Sequence, residues 1–222
     1  MRRSAPVLFC LLALVAAGCS DDKKMLSPSV LPPTPDTPAR AVRLVEWCWN
    51  FRGVDQYSTV FTDDYRFVFA LGDSAGSAYR ANPFGRSDEL YTSTGVFIGN
   101  ASHSAAGSLV TTLDQVFTTL PDDRPGKDPN WHKLIRTHAD LLASINVGAG
   151  PQLVEIHGYA KFYLVRGDSA LIPPELVARG YLPDSTRWWI ERWEDQTLPV
   201  AGALGATTAA NGSWGSLKAL YR

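Results

Sequence analysis

The apolar positions of this chain change period along its length. Over residues 38–51, Val42, Val45 and Trp49 recur at three- and four-residue steps, with Ala41, Leu44 and Cys48 beside them. That spacing predicts an amphipathic helix, with Thr37 suited to its N-cap and Pro38 to its first turn. A turn at 53–55 leads into a short helix over DQYSTVF, residues 55–61. The period then drops to two: Tyr65, Phe67, Phe69 and Leu71 alternate with Arg66, Val68 and Ala70, which predicts a strand. After a turn at 72–76, SDELYTSTGVFI (87–98) reads as another helix, capped by Ser87 with two acids in its first turn.

From about residue 106 the pattern is that of strands. AGSLVTTLDQVFTTL (106–120) is the first, and the polar loop PDDRPGKDPN follows at 121–130. Two long segments, 131–147 and 151–167, flank Gly148-Ala149-Gly150 and predict a hairpin. On its second arm Val154, Ile156, Gly158, Ala160, Phe162 and Leu164 share one face; Glu155, His157, Tyr159, Lys161 and Tyr163 share the other. On the first arm Ile135, Thr137, Ala139, Leu141, Ala143 and Ile145 form the apolar set, opposite Arg136, His138 and Asp140. PPELVARG (173–180) is a helical turn, STRWWIERWEDQT (185–197) the last long strand, and SWGSLKALYR (213–222) a short terminal helix.

Composition narrows the classes. The 222 residues are 45% hydrophobic and 19% charged, with a net charge of −1. No basic run exceeds Lys23-Lys24, so a nucleic-acid partner is not expected, because phosphate binding needs clustered Lys and Arg. The three cysteines share no metal-site spacing, and Cys48 on the apolar side of its helix reads as core.

The N-terminus, MRRSAPVLFCLLALVAAGCS, is secretory in pattern: Arg2 and Arg3, an apolar stretch too short to span a bilayer, then Ala16, Ala17 and Gly18 before Cys19. It resembles a bacterial lipobox, with Ala16 where the pattern prefers Leu. The resemblance implies a signal peptide at 1–18, an acylated Cys19 as the mature N-terminus, and a lipid anchor in the membrane. The implied location is the cell envelope, on the outer membrane facing the periplasm or the cell surface. Residues 19–37 carry Pro28, Pro32, Pro33 and Pro35, with Pro38 just beyond, and read as an extended tether of up to roughly 55 Å.

Two helices, a strand, a third helix and then long antiparallel strands form an order that resembles the nuclear transport factor 2-like superfamily, also called SnoaL-like or ketosteroid-isomerase-like. Two stretches carry the likeness: VDQYSTVFTDDYRFVF (54–69) and RWWIERWED (187–195). The resemblance covers about 38–196. It implies one α+β domain, a cone in which a curved antiparallel sheet wraps around the N-terminal helices and leaves a pocket. Residues 197–222 would be a loop and a C-terminal segment packed on that domain. The superfamily holds enzymes, binding modules and scaffolds, so the fold does not choose among them.

In this frame Trp188 and Ile190 point inward. With Tyr65, Phe67, Phe69, Ile156, Phe162, Arg192 and Glu194 they are the pocket candidates. Trp189 and Trp193 point outward and, with Tyr159 and Tyr163, are the interface candidates. An aromatic belt on the outer face needs a cover, and three are open: the chain's own segment 213–222, a homodimer, or a foreign ligand. The inward faces are mostly apolar, so no catalytic residue is assigned. No cofactor is expected. His132 and His138 lie too far apart on one strand to share a metal, whereas His138 and His157 approach across the hairpin beside Asp140, on the outer face. Asp122, Asp123 and Asp128 lack calcium-loop spacing, and no metal site is assigned. The reading is a membrane-anchored lipoprotein with a non-catalytic binding or assembly domain. The alternative is an isomerase- or dehydratase-like enzyme acting on a small apolar ligand in the cone.

Overall fold

The computed structural model describes residues 31–73, 75–79, 81–146, 150–197 and 209–222. The leader, Cys19, tether residues 20–30 and most of the loop after residue 197 lie outside them. Helix α1 (Pro38–Phe51) buries Ala41, Val42, Leu44, Val45, Cys48 and Trp49, the stripe read from the sequence. Thr37 caps it, its Oγ1 accepting from Arg40 N at 3.2 Å. The compact unit starts at Pro32, ahead of the expected boundary at 38. Pro35 is buried there, and its carbonyl accepts from Trp188 N at 2.8 Å. Helix α2 (Val54–Ser58) leads into strand β1 (Phe61–Val68); after a 3-10 turn (Ala75–Tyr79) and the two-residue β2 (Phe84–Gly85), helix α3 spans Arg86–Ile98. Its N-cap is Gly85, whose N–H donates to Asp88 Oδ2 at 3.1 Å, two residues ahead of the expected Ser87.

The expected strand at 106–120 is two, β3 (Ser108–Leu113) and β4 (Thr119–Pro121), pairing with different stretches of the same neighbour. That neighbour, β5 (His132–Asn146), forms the long hairpin with β6 (Pro151–Arg166), in register from Asn146 opposite Pro151 to His132 opposite Val165. A turn of helix, α4 (Pro174–Val177), precedes β7 (Trp188–Thr197), and β8 (Ala209–Asn211) precedes helix α5 (Trp214–Leu220). The fold is α+β with a curved, unclosed sheet in the order β2-β1-β7-β6-β5-β3. The long strands are antiparallel, as expected, and β1 joins β7 and β8 joins β6 in parallel. Parallel neighbours need a crossover, and everything between β1 and β7 supplies one.

The edge strand β3 is closed from inside the chain. Asn50 of α1 donates to Thr111 O at 2.9 Å and accepts from Thr111 N at 2.6 Å, and Glu46 Oε1 accepts from Leu113 N at 2.9 Å. Side chains of a helix thus fill ladder positions that another strand would otherwise seek.

Two features overturn the face assignment of the last strand. Tyr163 pairs with Arg192 but Leu164 pairs with Ile190, so Glu191 is an extra residue in β7. A bulge of this kind puts two successive side chains on one face and reverses the alternation beyond it. Trp193 therefore turns inward, while Arg192 and Glu194, expected in the pocket, turn outward and pair with each other at 2.7 Å. The second feature is α5. It does not cover the outer face but enters the concave side, where Trp214 meets Trp49 and Trp193 at 4.4 and 5.1 Å between ring centroids. Gly215 permits this entry, since a Cβ there would lie 2.4 Å from the Phe69 ring.

Candidate functional site

The concave side holds a sealed polar cluster. Glu89 on the first turns of α3 is fully buried. Its Oε1 accepts from Tyr57 Oη at 2.5 Å and Ser93 Oγ at 3.0 Å; its Oε2 accepts from Tyr65 Oη at 3.1 Å and Lys218 Nζ at 2.8 Å. Lys218 comes from α5 and is also fully buried, its ammonium 3.6 Å from the Phe67 ring centroid and 3.8 Å from that of Trp193. A few residues away Asp195 Oδ1 accepts from Thr197 N and Oγ1, and its Oδ2 from Gly215 N at 2.8 Å. Ser213, the N-cap of α5, donates to Asp73 Oδ2 at 2.5 Å.

Burial sets the titration here. It pushes the Asp195 carboxyl up to about 6, against the pull of the Thr197 and Gly215 hydrogen bonds and the Lys218 charge. It pulls the Lys218 ammonium down to about 8, opposed by Glu89 and then Asp195. Burial, and next the Glu89 charge, hold the Tyr57 and Tyr65 hydroxyls well above the usual phenol range. Four donors fill the acceptor sites of the Glu89 carboxylate. The cluster thereby joins α2, β1 and α3 to α5.

Of the pocket candidates, Tyr65, Phe67, Phe69, Ile156, Phe162, Trp188 and Ile190 are all buried in the main core. Phe69 and the outward Arg192 and Glu194 also reach two open clefts at the ends of β1 and β7, of about 350 and 220 Å3. Asp195 is in the wall of the larger, but its carboxylate is already engaged by Thr197 and α5.

Of the interface candidates, only Tyr159 is exposed. Trp193 is core. Trp189 does lie on the outer face, yet it is fully buried with Val165 and Leu176 under the segment between β6 and β7, where Arg187 covers its ring at 4.5 Å. Tyr163 is buried beneath the 121–130 loop. Arg124 stacks over it at 4.3 Å while bonding Asp122 and Glu191, and Lys127 pairs with Glu191. The polar loop is thus a cover for the sheet.

His157 Nδ1 lies 2.7 Å from Asp140 Oδ1, and His138 Nδ1 lies 3.3 Å from Asp140 Oδ2, on the outer face as the strand pattern places them. Asp140 raises the His157 pKa. Among the described residues no group of three or more His, Cys, Asp or Glu side chains is disposed to hold a metal ion.

Sequence reasoning missed Glu89, Ser93, Tyr57, Asp195 and Lys218 as one group. A signal was present in α5: Trp214, Leu217, Lys218 and Tyr221 stand at i, i+3, i+4 and i+7, so a lysine sits on the apolar stripe.

No protein-family model matches the chain, and no curated protein matches it. Solved structures do. The chain is similar to a conserved protein from Planctomyces limnophilus, at 17% identity and a TM-score of 0.44, over 72% of this chain and 95% of that one. It is similar to a putative scytalone dehydratase from Novosphingobium aromaticivorans, at 10% identity and 0.46, over 78% and 89%. It is also similar to a nuclear transport factor 2-like superfamily protein from Salmonella enterica serovar Typhimurium, at 10% identity and 0.46, over 75% and 92%.

Proposed function

We propose that the chain is a non-catalytic binding or assembly module of the cell envelope, held at a membrane surface by lipid on Cys19. One observation carries the non-catalytic half: the concave side of the sheet is occupied by the chain's own α5, whose buried Lys218 neutralises the buried Glu89. The order of Arg pair, apolar stretch, small residues and cysteine supports the anchor. Two or more acyl chains hold a protein stably on a membrane without spanning it. No described helix is long and apolar enough to cross one.

Native mass spectrometry of the protein extracted from membranes tests both halves. The expected species starts at Cys19, carries acyl chains, and holds no small molecule inside. A retained small apolar ligand would overturn the non-catalytic reading. A Cys19→Ser chain that still partitions with membranes after the same cleavage would place the anchor elsewhere.

A further inference from the structure

The outer side of α1 carries two aromatic rings among guanidinium groups. Trp47 and Phe51 stack there with ring centroids 5.1 Å apart, and Phe51 is 53% exposed. With Pro33, Arg40 and Arg43 they line an open groove of about 470 Å3. Arg43 extends the patch, its guanidinium lying 4.0 Å over the Phe117 ring, next to Val116, which is 85% exposed. Paired aromatic rings among guanidinium groups suit the headgroup layer of a bilayer, where amphipathic rings and long cationic side chains find both apolar and polar neighbours.

The position of the groove matters as much as its chemistry. Pro33, one of its walls, is the second residue of the compact unit. The chain that leads from it to Cys19 can reach at most roughly 50 Å when fully extended. We infer that this face of α1 docks on the lipid surface, with Phe51 and Trp47 entering the interface and Arg40 and Arg43 meeting lipid phosphates. The inference rests on the anchor reading above. A short tether holds the groove near the bilayer at an effective concentration of order millimolar, so a weak surface affinity is enough to populate the docked state. Arg40 pairs with Asp36 and Arg43 with Glu46, both at 2.6 Å, so the patch is close to neutral and its docking depends on ring burial more than on lipid charge.

The test uses the membrane-extracted full chain in vesicles of phosphatidylethanolamine with phosphatidylglycerol. A nitroxide is placed at the exposed Val116 beside the patch (Val116→Cys) or, as control, at the exposed Tyr91 of α3 (Tyr91→Cys). Labelling is selective, because Cys19 would be acylated and the fully buried Cys48 has its thiol pKa pushed well up. The label at 116 is expected to relax with a lipid-soluble agent and to be shielded several-fold from a water-soluble one, with the opposite at 91. Phe51→Ser should return position 116 to water with unchanged circular dichroism. Equal water access at 116 and 91 on vesicle-bound protein would overturn the docking and leave the anchor intact. Position 116 still in lipid after Phe51→Ser would overturn the role of the rings. Shielding from both agents that rises with protein concentration would give the groove to a second copy instead. A wild-type chain recovered free of vesicles would overturn both the anchor and the docking.

Discussion

Strand β7 sends aromatic rings to both faces of the sheet, and the two faces cover them by different means. On the concave face Trp193 is enclosed by Phe162, Phe67 and Trp214 and sits under a buried ammonium. On the convex face Trp189 lies under the segment that carries α4, against Leu176, and Tyr163 lies under a partly exposed arginine. The concave cover is an apolar helix carrying one buried charge; the convex cover is apolar over Trp189 and, over Tyr163, a polar loop whose cations are partly exposed. A charge sealed from water is costly without its partner, whereas a charge at the surface is interchangeable. The integrity of the fold should therefore hang more on the concave ion pair, where both charges are sealed, than on the convex ones, whose cations reach solvent.

The sharpest way to break this contrast is Lys218→Ala, which leaves Glu89 buried without its cation. Urea unfolding should show a loss of about 3–5 kcal/mol. The paired change Glu89→Gln with Lys218→Met keeps volume and removes both charges, so it should recover most of that loss. A double mutant no better than the single would mean that the ionic character is not what matters.

Trp193→Ala should come next, at about 4 kcal/mol, as for a large aromatic lost from a close-packed core. Trp189→Ala should cost somewhat less and act locally, loosening residues 168–187 to proteolysis while the cooperative transition persists. The segment can sag into the space, since its hold on the body includes the Asp63 N to Leu171 O bond and the exposed Arg86–Glu175 pair. If both variants unfold the whole chain equally, the two covers are one cooperative unit.

How far the sequence could be read follows from the same strand. Period alone placed the apolar stripe of α1 and both arms of the hairpin, because each element keeps one period from end to end. It failed on β7 because Glu191 adds one residue, and a single-residue bulge leaves no mark on composition while reversing every later side chain. Trp189 was placed on the correct face but taken as exposed, since a strand pattern does not say what a distant segment will cover. The site failed for a third reason. Glu89 was read as one of two acids in a first helical turn and Lys218 drew no reading, and their pairing across 129 positions of sequence is visible only in three dimensions.

Asp195 offers a finer probe of the concave side. Its ordinary value of 3.8 is raised to about 6. Between about pH 4 and 6 the folded chain therefore holds this proton more tightly than the unfolded chain does. Its contribution to stability is present below about 4 and is lost as pH rises through 6, up to about 3 kcal/mol. The stability of wild type minus that of Asp195→Asn should accordingly increase as pH falls from 7 to 4. A flat difference would mean that the carboxylate is solvated in the folded protein.

The smallest effect is expected on the convex face. Arg124 bonds Asp122 and Glu191 and roofs Tyr163, but it is partly exposed, and Lys127 also neutralises Glu191. Its cations are screened by water and salt, but the Asp122 carboxylate beneath them is sealed, so the network is worth about 2 kcal/mol, between an exposed pair and a fully buried one. Arg124→Met keeps an apolar roof over the ring and removes only the charge. It should change stability by no more than that and narrow the gap between low- and high-salt unfolding midpoints. Arg124→Ala removes the roof as well, and should make Tyr163 reactive toward tyrosine nitration while Trp193 fluorescence stays native. If Arg124→Met proves as damaging as Lys218→Ala, the convex charges are as sealed as the concave ones, and the contrast between the two faces of β7 fails.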